Sequence, residues 1–321
     1  MTKIVVAGRL HEVGMAEFEA RSDITTVIVD TAEDLTREIV DADALTVRTA
    51  RLDRPQIASA TRLKCVSRHG VGYDLIDVDA LSDHGIPLTV IGDANARPVA
   101  EHTMGLILTL AKDYGAYDRA VKAGDYGFRE SLRSFDLAGK TVLIVGFGRI
   151  GTRVAKRCEA FEMDVLVADP YMPERVVRGQ GYRYLADFRD GLAEADIVTL
   201  HLPGNFDGSP VMTGQEFQRM KPGSIFINCA RGTLIDEDAL YQALTNGPVR
   251  GAGLDVTRVE PPAADNPLLG LDSVILTPHN AASSREGMAA MSSATARNAI
   301  DAVDGRLDPY FVVNKEVLGQ G

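Results

Sequence analysis

The chain has 321 residues, 45% hydrophobic and 25% charged, the make-up of a globular protein with room for two domains, and this excludes a disordered or fibrous chain. A formal net charge of -11 leaves no basic field to draw in nucleic acid or anionic lipid, so neither is an expected partner. Cys65, Cys158 and Cys229 are odd in number and lack metal-ligand or disulfide spacing, which points to the reducing cytoplasm and to no metal site.

The chain opens on "TKIVVAG", a strand pattern rather than a secretory signal, and no later apolar run is long enough to span a bilayer. From residue 3 to about 90, short β-branched runs ("KIVVA", "TTVIV", "DALTV", "KCVS", "PLTV") alternate with helix-compatible segments, which predicts βαβ units and a parallel sheet. "PVAEHTMGLILTLAKDYGAYDRAVKAG", 98 to 124, reads as one long helix with Pro98 at its first position. Its apolar residues occupy much of the circumference, so it must be buried from several sides, between domains or between subunits. A second βα series starts at 141 with "TVLIV" and continues through "DVLVA", "DIVTLH", "SIFIN", "VRGAGLDV" and "SVILT". A helix over 284 to 304 and the segment "PYFVVN" close the chain. The fold class is therefore α/β with two doubly wound parallel-sheet domains. The expected division is 1–97 with 290–321 as one domain and 98–289 as the other.

"VGFGRIG" places Gly146, Gly148 and Gly151 directly after a strand and at the start of a helix. The first glycine permits a tight turn, the second lets backbone approach a pyrophosphate, and the third lets helix pack on strand. The next strand ends in Asp169, 23 residues after Gly146, the spacing of an acid that accepts the adenosine ribose hydroxyls. A carboxylate there repels a 2′-phosphate, so NAD is the expected cofactor. Alone, the glycine pattern also fits an ordinary βα turn.

If the later strands run parallel, their carboxyl ends share the edge that carries this loop. Arg231 follows "SIFIN", Glu260 follows "GAGLDV" and His279 follows "SVILTP". The segment "TRVEPPAADNPLLGLD" between the last two holds three prolines and no evident helix, so the direction of the final strand is the weakest step. Singly, these residues read as a strand terminator, a solvated acid and a half-buried histidine. Together they suit hydride and proton transfer on a carboxylate-bearing substrate. A guanidinium grips a carboxylate in a fork, an imidazole exchanges a hydroxyl proton, and a carboxylate orients the imidazole.

"RHGVGYDLIDVDAL", "VGFGRIG", "INCARGTLIDEDALYQAL", "GAGLDVTRVEPP" and "NPLLGLDSVILTPHNAA" resemble, in order and over nearly the whole chain, the D-isomer-specific 2-hydroxyacid dehydrogenase family. The resemblance implies a Rossmann-type NAD domain with a flavodoxin-like substrate domain, and catalytic roles for Arg231, Glu260 and His279. It implies cofactor contacts at Thr103, Arg149, Ile150, His201, Leu202, Pro203, Cys229 and Asp255. Substrate contacts are implied at Arg48 and at the backbone of Val71 and Gly72. The implied substrate is a small anionic 2-oxo or 2-hydroxy acid, handled as by phosphoglycerate dehydrogenases or glyoxylate/hydroxypyruvate reductases, and the implied assembly is a homodimer. A corepressor-like protein that senses NADH with little turnover is the alternative. The sequence departs from the family pattern at Arg97 and Pro98, lacks a tryptophan before "LAGK", and ends soon after "VVNKEV".

Overall fold

The computed structural model describes residues 1–205 and 207–319. In chain order the first strands and helices are β1 (Thr2–Ala7), α1 (Glu12–Glu19), β2 (Ile24–Val29), α2 (Ala32–Glu38), β3 (Ala44–Val47), α3 (Arg54–Ser59), β4 (Val66–Arg68), α4 (Val78–Asp83) and β5 (Leu88–Thr89). Then come α5 (Ala96–Lys112), α6 (Tyr114–Lys122), β6 (Thr141–Val145), α7 (Gly151–Ala160), β7 (Asp164–Ala168), α8 (Glu174–Gly179), β8 (Arg183–Leu185) and β9 (Ile197–Leu200). The rest are α9 (Gly214–Arg219), β10 (Ser224–Asn228), α10 (Glu237–Thr245), β11 (Val249–Leu254), β12 (Val274–Leu276) and α11 (Arg285–Val303).

Many helix starts are written in the sequence. The side chains of Thr31, Asp77, Asp236 and Ser284 each accept a backbone N–H in the first turn of α2, α4, α10 and α11. Asp53 with Gln56 and Thr213 with Glu216 close reciprocal capping boxes on α3 and α9.

Two compact units result, Met1–Asn95 with the segment from Ser283 onward, and Ala96–Ala282. The joints expected at 97/98 and 289/290 fall inside α5 and α11. The units instead part just ahead of these helices, because each helix stays whole within one hydrophobic core. The first unit has a five-stranded all-parallel sheet in the order β2-β1-β3-β4-β5, the flavodoxin-like arrangement. Both faces are covered. In β1, Val5 and Ala7 enter one apolar cluster while Ile4 and Val6 enter the other, so the strand reads as a continuous apolar run. Helix α11 packs on α1, β3 and β4. Ser67 Oγ donates to the Thr295 carbonyl at 2.9 Å, and a Cβ on Gly14 would strike the Ser292 carbonyl oxygen at 2.6 Å. The closing "PYFVVN" lies along β5, with Thr89 and Val312 paired antiparallel.

The second unit has a seven-stranded all-parallel sheet, β12-β11-β10-β9-β6-β7-β8. This is the Rossmann order with one further strand, and its winding reverses between β6 and β9. Along β6, Val142 and Ile144 face one cluster and Leu143 and Val145 the other. The last strand, β12, pairs parallel with β11 although only a short 3-10 turn (Pro267–Gly270) lies between them. The long helix expected over 98 to 124 is two helices. It begins at Ala96, with Pro98 in the first turn, where a missing N–H costs nothing. It breaks at Asp113, whose backbone is left-handed (φ 50) and whose carboxylate accepts Arg133 Nε at 2.5 Å. Helix α6 has no buried residue. Among the described residues no helix is long and apolar enough to cross a membrane.

Candidate active site

Because every strand of the larger sheet runs parallel, seven carboxyl ends share one edge, and six of them carry candidate residues. Gly146 follows β6, Asp169 follows β7, His201 follows β9, Cys229 and Arg231 follow β10, Asp255 follows β11, and His279 comes just beyond β12.

The glycine loop is shaped by what its glycines lack. A Cβ on Gly146 (φ 98) would meet the His201 carbonyl oxygen at 2.4 Å, and one on Gly151 would meet the Gly146 carbonyl oxygen at 2.0 Å. These two let the turn close against the loop after β9 and let α7 lie on β6. The middle glycine, Gly148, is exposed, and a Cβ there would meet nothing within 4 Å. Its freedom from protein contacts leaves the loop surface open to a ligand. No side chain caps α7, whose N-cap is Ile150, so its amino end keeps its affinity for an anion. The Arg149 carbonyl is bonded by Arg153 Nη1 at 2.8 Å. Leu202 lies against Gly146, followed by Pro203. Asp169 accepts the Phe147 N–H at 2.7 Å and the Tyr171 N–H at 2.8 Å, which fixes its carboxylate at the mouth of the loop and leaves lone pairs for hydroxyl donors. These residues fit a dinucleotide with an unphosphorylated ribose.

Three of the expected cofactor contacts face inward. Thr103 is fully buried, with its hydroxyl on the Val99 carbonyl at 2.9 Å and against the Cys229 thiol. Burial pushes that thiol up to about 12, so Cys229 is not a nucleophile near neutrality. The His201 imidazole is buried, with Nε2 3.1 Å from Thr199 Oγ1. Burial holds its pKa down at about 3, so it is neutral.

At the other end of the edge, His279 Nδ1 lies 2.7 Å from Glu260 Oε2. A carboxylate only accepts, so Nδ1 carries the proton of this bond and Nε2 is the nitrogen left for chemistry. Glu260 Oε1 also accepts the Thr257 N–H at 3.2 Å. Burial works to raise the Glu260 carboxyl. The His279 hydrogen bond and charge, the Thr257 amide and the Arg231 guanidinium outweigh it and hold the carboxyl below the usual glutamate range. Arg231 Nη1 donates to the Ala230 carbonyl at 2.6 Å, and the Asn228 side chain braces the turn by bonding the Ala230 N–H and the Arg231 carbonyl.

Two supports, Gly232 and His102, escaped sequence reasoning, and Asp255, expected as a cofactor contact, has its carboxylate engaged within the fold. A Cβ on Gly232 would sit 2.0 Å from the Thr257 carbonyl oxygen, so this glycine lets the Arg231 turn and the Glu260 loop touch. Asp255, only 1% exposed, accepts Thr277 Oγ1 at 2.6 Å and the N–H groups of Asn280 and Ala281 at 2.9 Å each, and its own carbonyl accepts the His279 N–H at 2.8 Å. His102 on α5 adds a bond from Nε2 to Thr277 Oγ1 at 3.0 Å. The "RG" spacing was a possible signal for Gly232, whereas no local pattern announces the clasp around Asp255. The structure thus brings Arg231, Glu260 and His279 together.

Arg48, Val71 and Gly72 belong to the smaller unit, on its own carboxyl edge after β3 and β4. Arg48 is exposed and makes no side-chain hydrogen bond or ion pair among the described residues. Also among the described residues, no group of three or more His, Cys, Asp or Glu side chains is placed to hold a metal.

A doubly wound sheet with a glycine loop at its switch point and an acid ending the next strand defines a dinucleotide-binding domain. The family model described as "D-isomer specific 2-hydroxyacid dehydrogenase, NAD binding domain" matches residues 104–281, over half of the chain, and the protein belongs to that family. It is 39% identical, over 325 aligned positions, to D-3-phosphoglycerate dehydrogenase of Methanocaldococcus jannaschii, an alignment covering 100% of this chain and 62% of the relative. The chain spans between 52% and 62% of the length of the curated relatives it matches. Among solved structures, a glyoxylate reductase from Paecilomyes thermophila is 28% identical with a TM-score of 0.88, over 98% of this chain and 99% of that one. A D-lactate dehydrogenase from Aquifex aeolicus, complexed with NAD and lactic acid, is 29% identical with a TM-score of 0.85, over 95% and 96%.

Proposed function

We propose that the protein is an NAD-dependent oxidoreductase acting between a small D-2-hydroxy acid and its 2-oxo acid, of the phosphoglycerate dehydrogenase or glyoxylate/hydroxypyruvate reductase kind. The observation that carries this reading is the 2.7 Å Glu260–His279 pair, with Arg231 beside it, on the edge that holds the glycine loop. The glycine loop of Gly146, Gly148 and Gly151 and the Asp169 carboxylate would hold NAD(H), which would supply or take up the hydride at substrate C2. Arg231 binds the substrate carboxylate and polarises the neighbouring carbonyl. His279 Nε2 gives a proton to the C2 oxygen in reduction and takes it back in oxidation, while Glu260 orients the ring through Nδ1 and offsets its positive charge. Arg48 and the amides of Val71 and Gly72 add contacts to the substrate. The Asp169 carboxylate favours NAD over NADP.

The assembly that fits is a homodimer. Helix α6 has no fully buried residue, and Tyr114, Val121, Tyr126 and Leu132 are each more than half exposed in one stretch of chain, as expected of a face covered by a second copy. Three free, buried cysteines and the negative charge support a reducing, cytoplasmic setting away from nucleic acid and membrane.

The test is a steady-state panel of 2-oxo acids with NADH and NADPH, run on the wild type and two variants. The reading expects turnover of a small 2-oxo acid with NADH preferred. His279→Ala should lose about 10² to 10⁴ in kcat, and Glu260→Gln should lose less while keeping the fold. Wild-type rates in His279→Ala would remove the proposed proton transfer.

A further inference from the structure

The loop after β4 in the smaller unit, "RHGVGYD", is held from one side by its own first residue. Arg68 Nε donates to the Gly72 carbonyl at 2.6 Å, and Arg68 Nη1 donates to the His69 carbonyl. The carbonyl of Gly70 accepts the Ile91 N–H at 3.3 Å. Three carbonyls of a five-residue loop are thus engaged. The N–H groups of Val71, Gly72 and Tyr73, half-buried and consecutive, have no acceptor among the described residues. Consecutive backbone donors of this kind form an anion-binding concavity, and amides not spent within the fold retain their full capacity for a carboxylate.

Gly70 permits the arrangement. Its φ of 148 suits glycine, and a Cβ on it would meet Arg68 Nη1 at 2.6 Å. A guanidinium is needed because its fixed fork can bond two carbonyls on different residues at once, which an ammonium on a flexible stem does poorly. The charge also lies within reach of the loop, since Arg68 is one of the cations that, after burial, depress the titration of His69.

We propose that Arg68 is a positioning residue. By gathering the carbonyls of His69 and Gly72 it leaves the amides of Val71, Gly72 and Tyr73 for the carboxylate of the 2-oxo acid, without touching the substrate. The inference rests on the dehydrogenase reading above and assigns the origin of its carboxylate pocket. Such a residue contributes equally to ground-state and transition-state binding, so its loss raises KM more than it lowers kcat.

The experiment compares wild type, Arg68→Ala, Arg68→Lys and Gly70→Ala, reading kcat and KM for the best 2-oxo acid, NADH affinity by fluorescence, and thermal midpoint. Arg68→Ala should raise KM about 10- to 100-fold with kcat within about threefold and NADH affinity unchanged. Added guanidinium ion should lower its KM again, and Arg68→Lys should recover only part. Gly70→Ala, which retains the arginine but displaces its guanidinium, should raise KM in the same way. An unaltered KM in Arg68→Ala, or a KM that guanidinium does not restore, overturns the clamp. If Arg68→Ala does not fold, Gly70→Ala decides, and an unaltered KM there overturns the clamp. A wild type that reduces no 2-oxo acid fails the dehydrogenase reading itself, whereas an active wild type with an insensitive Arg68 fails the clamp alone.

Discussion

His279 occupies the left-handed backbone region (φ 50), which costs a side-chain-bearing residue on the order of 1 kcal/mol. The Asp255 carbonyl bonds its N–H and the Asp255 carboxylate bonds the two amides that follow, so one buried acid holds the strained turn in place. Arg231, Glu260 and His279 were legible as a set from the parallel strand pattern, because a parallel sheet brings its strand ends together whatever lies between them, whereas His201, Cys229 and Asp255 entered only through the family resemblance. The clasp was not legible, since it depends on Asp255 and the 277–281 turn meeting across β11 and β12. His69 carries a separate consequence for pH. Burial first, then the charges of Arg48 and Arg68, push its pKa down to about 4, and Nε2 lies 2.9 Å from Ser292 Oγ. Above an unfolded value of about 6.5 both states are neutral and His69 has no linked effect. As pH falls from about 6.5 towards 4 the unfolded chain takes up a proton that the folded one refuses, so stability drops, by on the order of 3 kcal/mol in all. Denaturant titrations between pH 7.5 and 4.5 should therefore give the wild type a steeper loss than His69→Gln. Parallel curves would show that the imidazole charges without unfolding.

At the scale of elements, the glycine loop separates folding from binding. Gly151→Ala puts a Cβ 2.0 Å from a backbone oxygen and must shift α7 from β6, so we expect a lowered thermal midpoint together with lost cofactor binding. Gly148→Ala meets no protein atom within 4 Å and should keep the wild-type midpoint while weakening NADH by about tenfold or more, because only a ligand would meet the new methyl group. Equal NADH affinity in Gly148→Ala, by fluorescence titration, would contradict a pyrophosphate at this loop. Strand and helix alternation was readable from residue 3 onward because both sheets are covered on two faces and their strands are short apolar runs. The break at Asp113 was not. Its local sequence is helix-compatible, and the turn is fixed by Arg133, 20 residues later, and by Arg250, 4.0 Å from its carboxylate.

For the whole molecule, two sheet orders, flavodoxin-like and Rossmann-like, follow from one chain, and the boundaries fall at helix starts rather than within the helices. Composition could bound the number of domains but not locate Ser283, which is set by where α11 docks on α1, β3 and β4. The bare face of α6 predicts a two-fold pair, so sedimentation at micromolar concentration should report a dimer, and Val121→Asp with Leu132→Asp should shift it to monomer without abolishing NADH binding. A wild-type monomer at that concentration would leave the exposed tyrosines and leucine unexplained. The proposed activity depends on the carboxyl edge of the larger sheet moving a hydride to C2 of a 2-oxo acid. That transfer can be followed by supplying NADH deuterated at both C4 positions with a reactive 2-oxo acid and examining the product by mass and chiral chromatography. One deuterium at C2 and the D isomer are the expected result. Tight NADH binding with no deuterium in any product would contradict it and mark the protein as a nucleotide sensor.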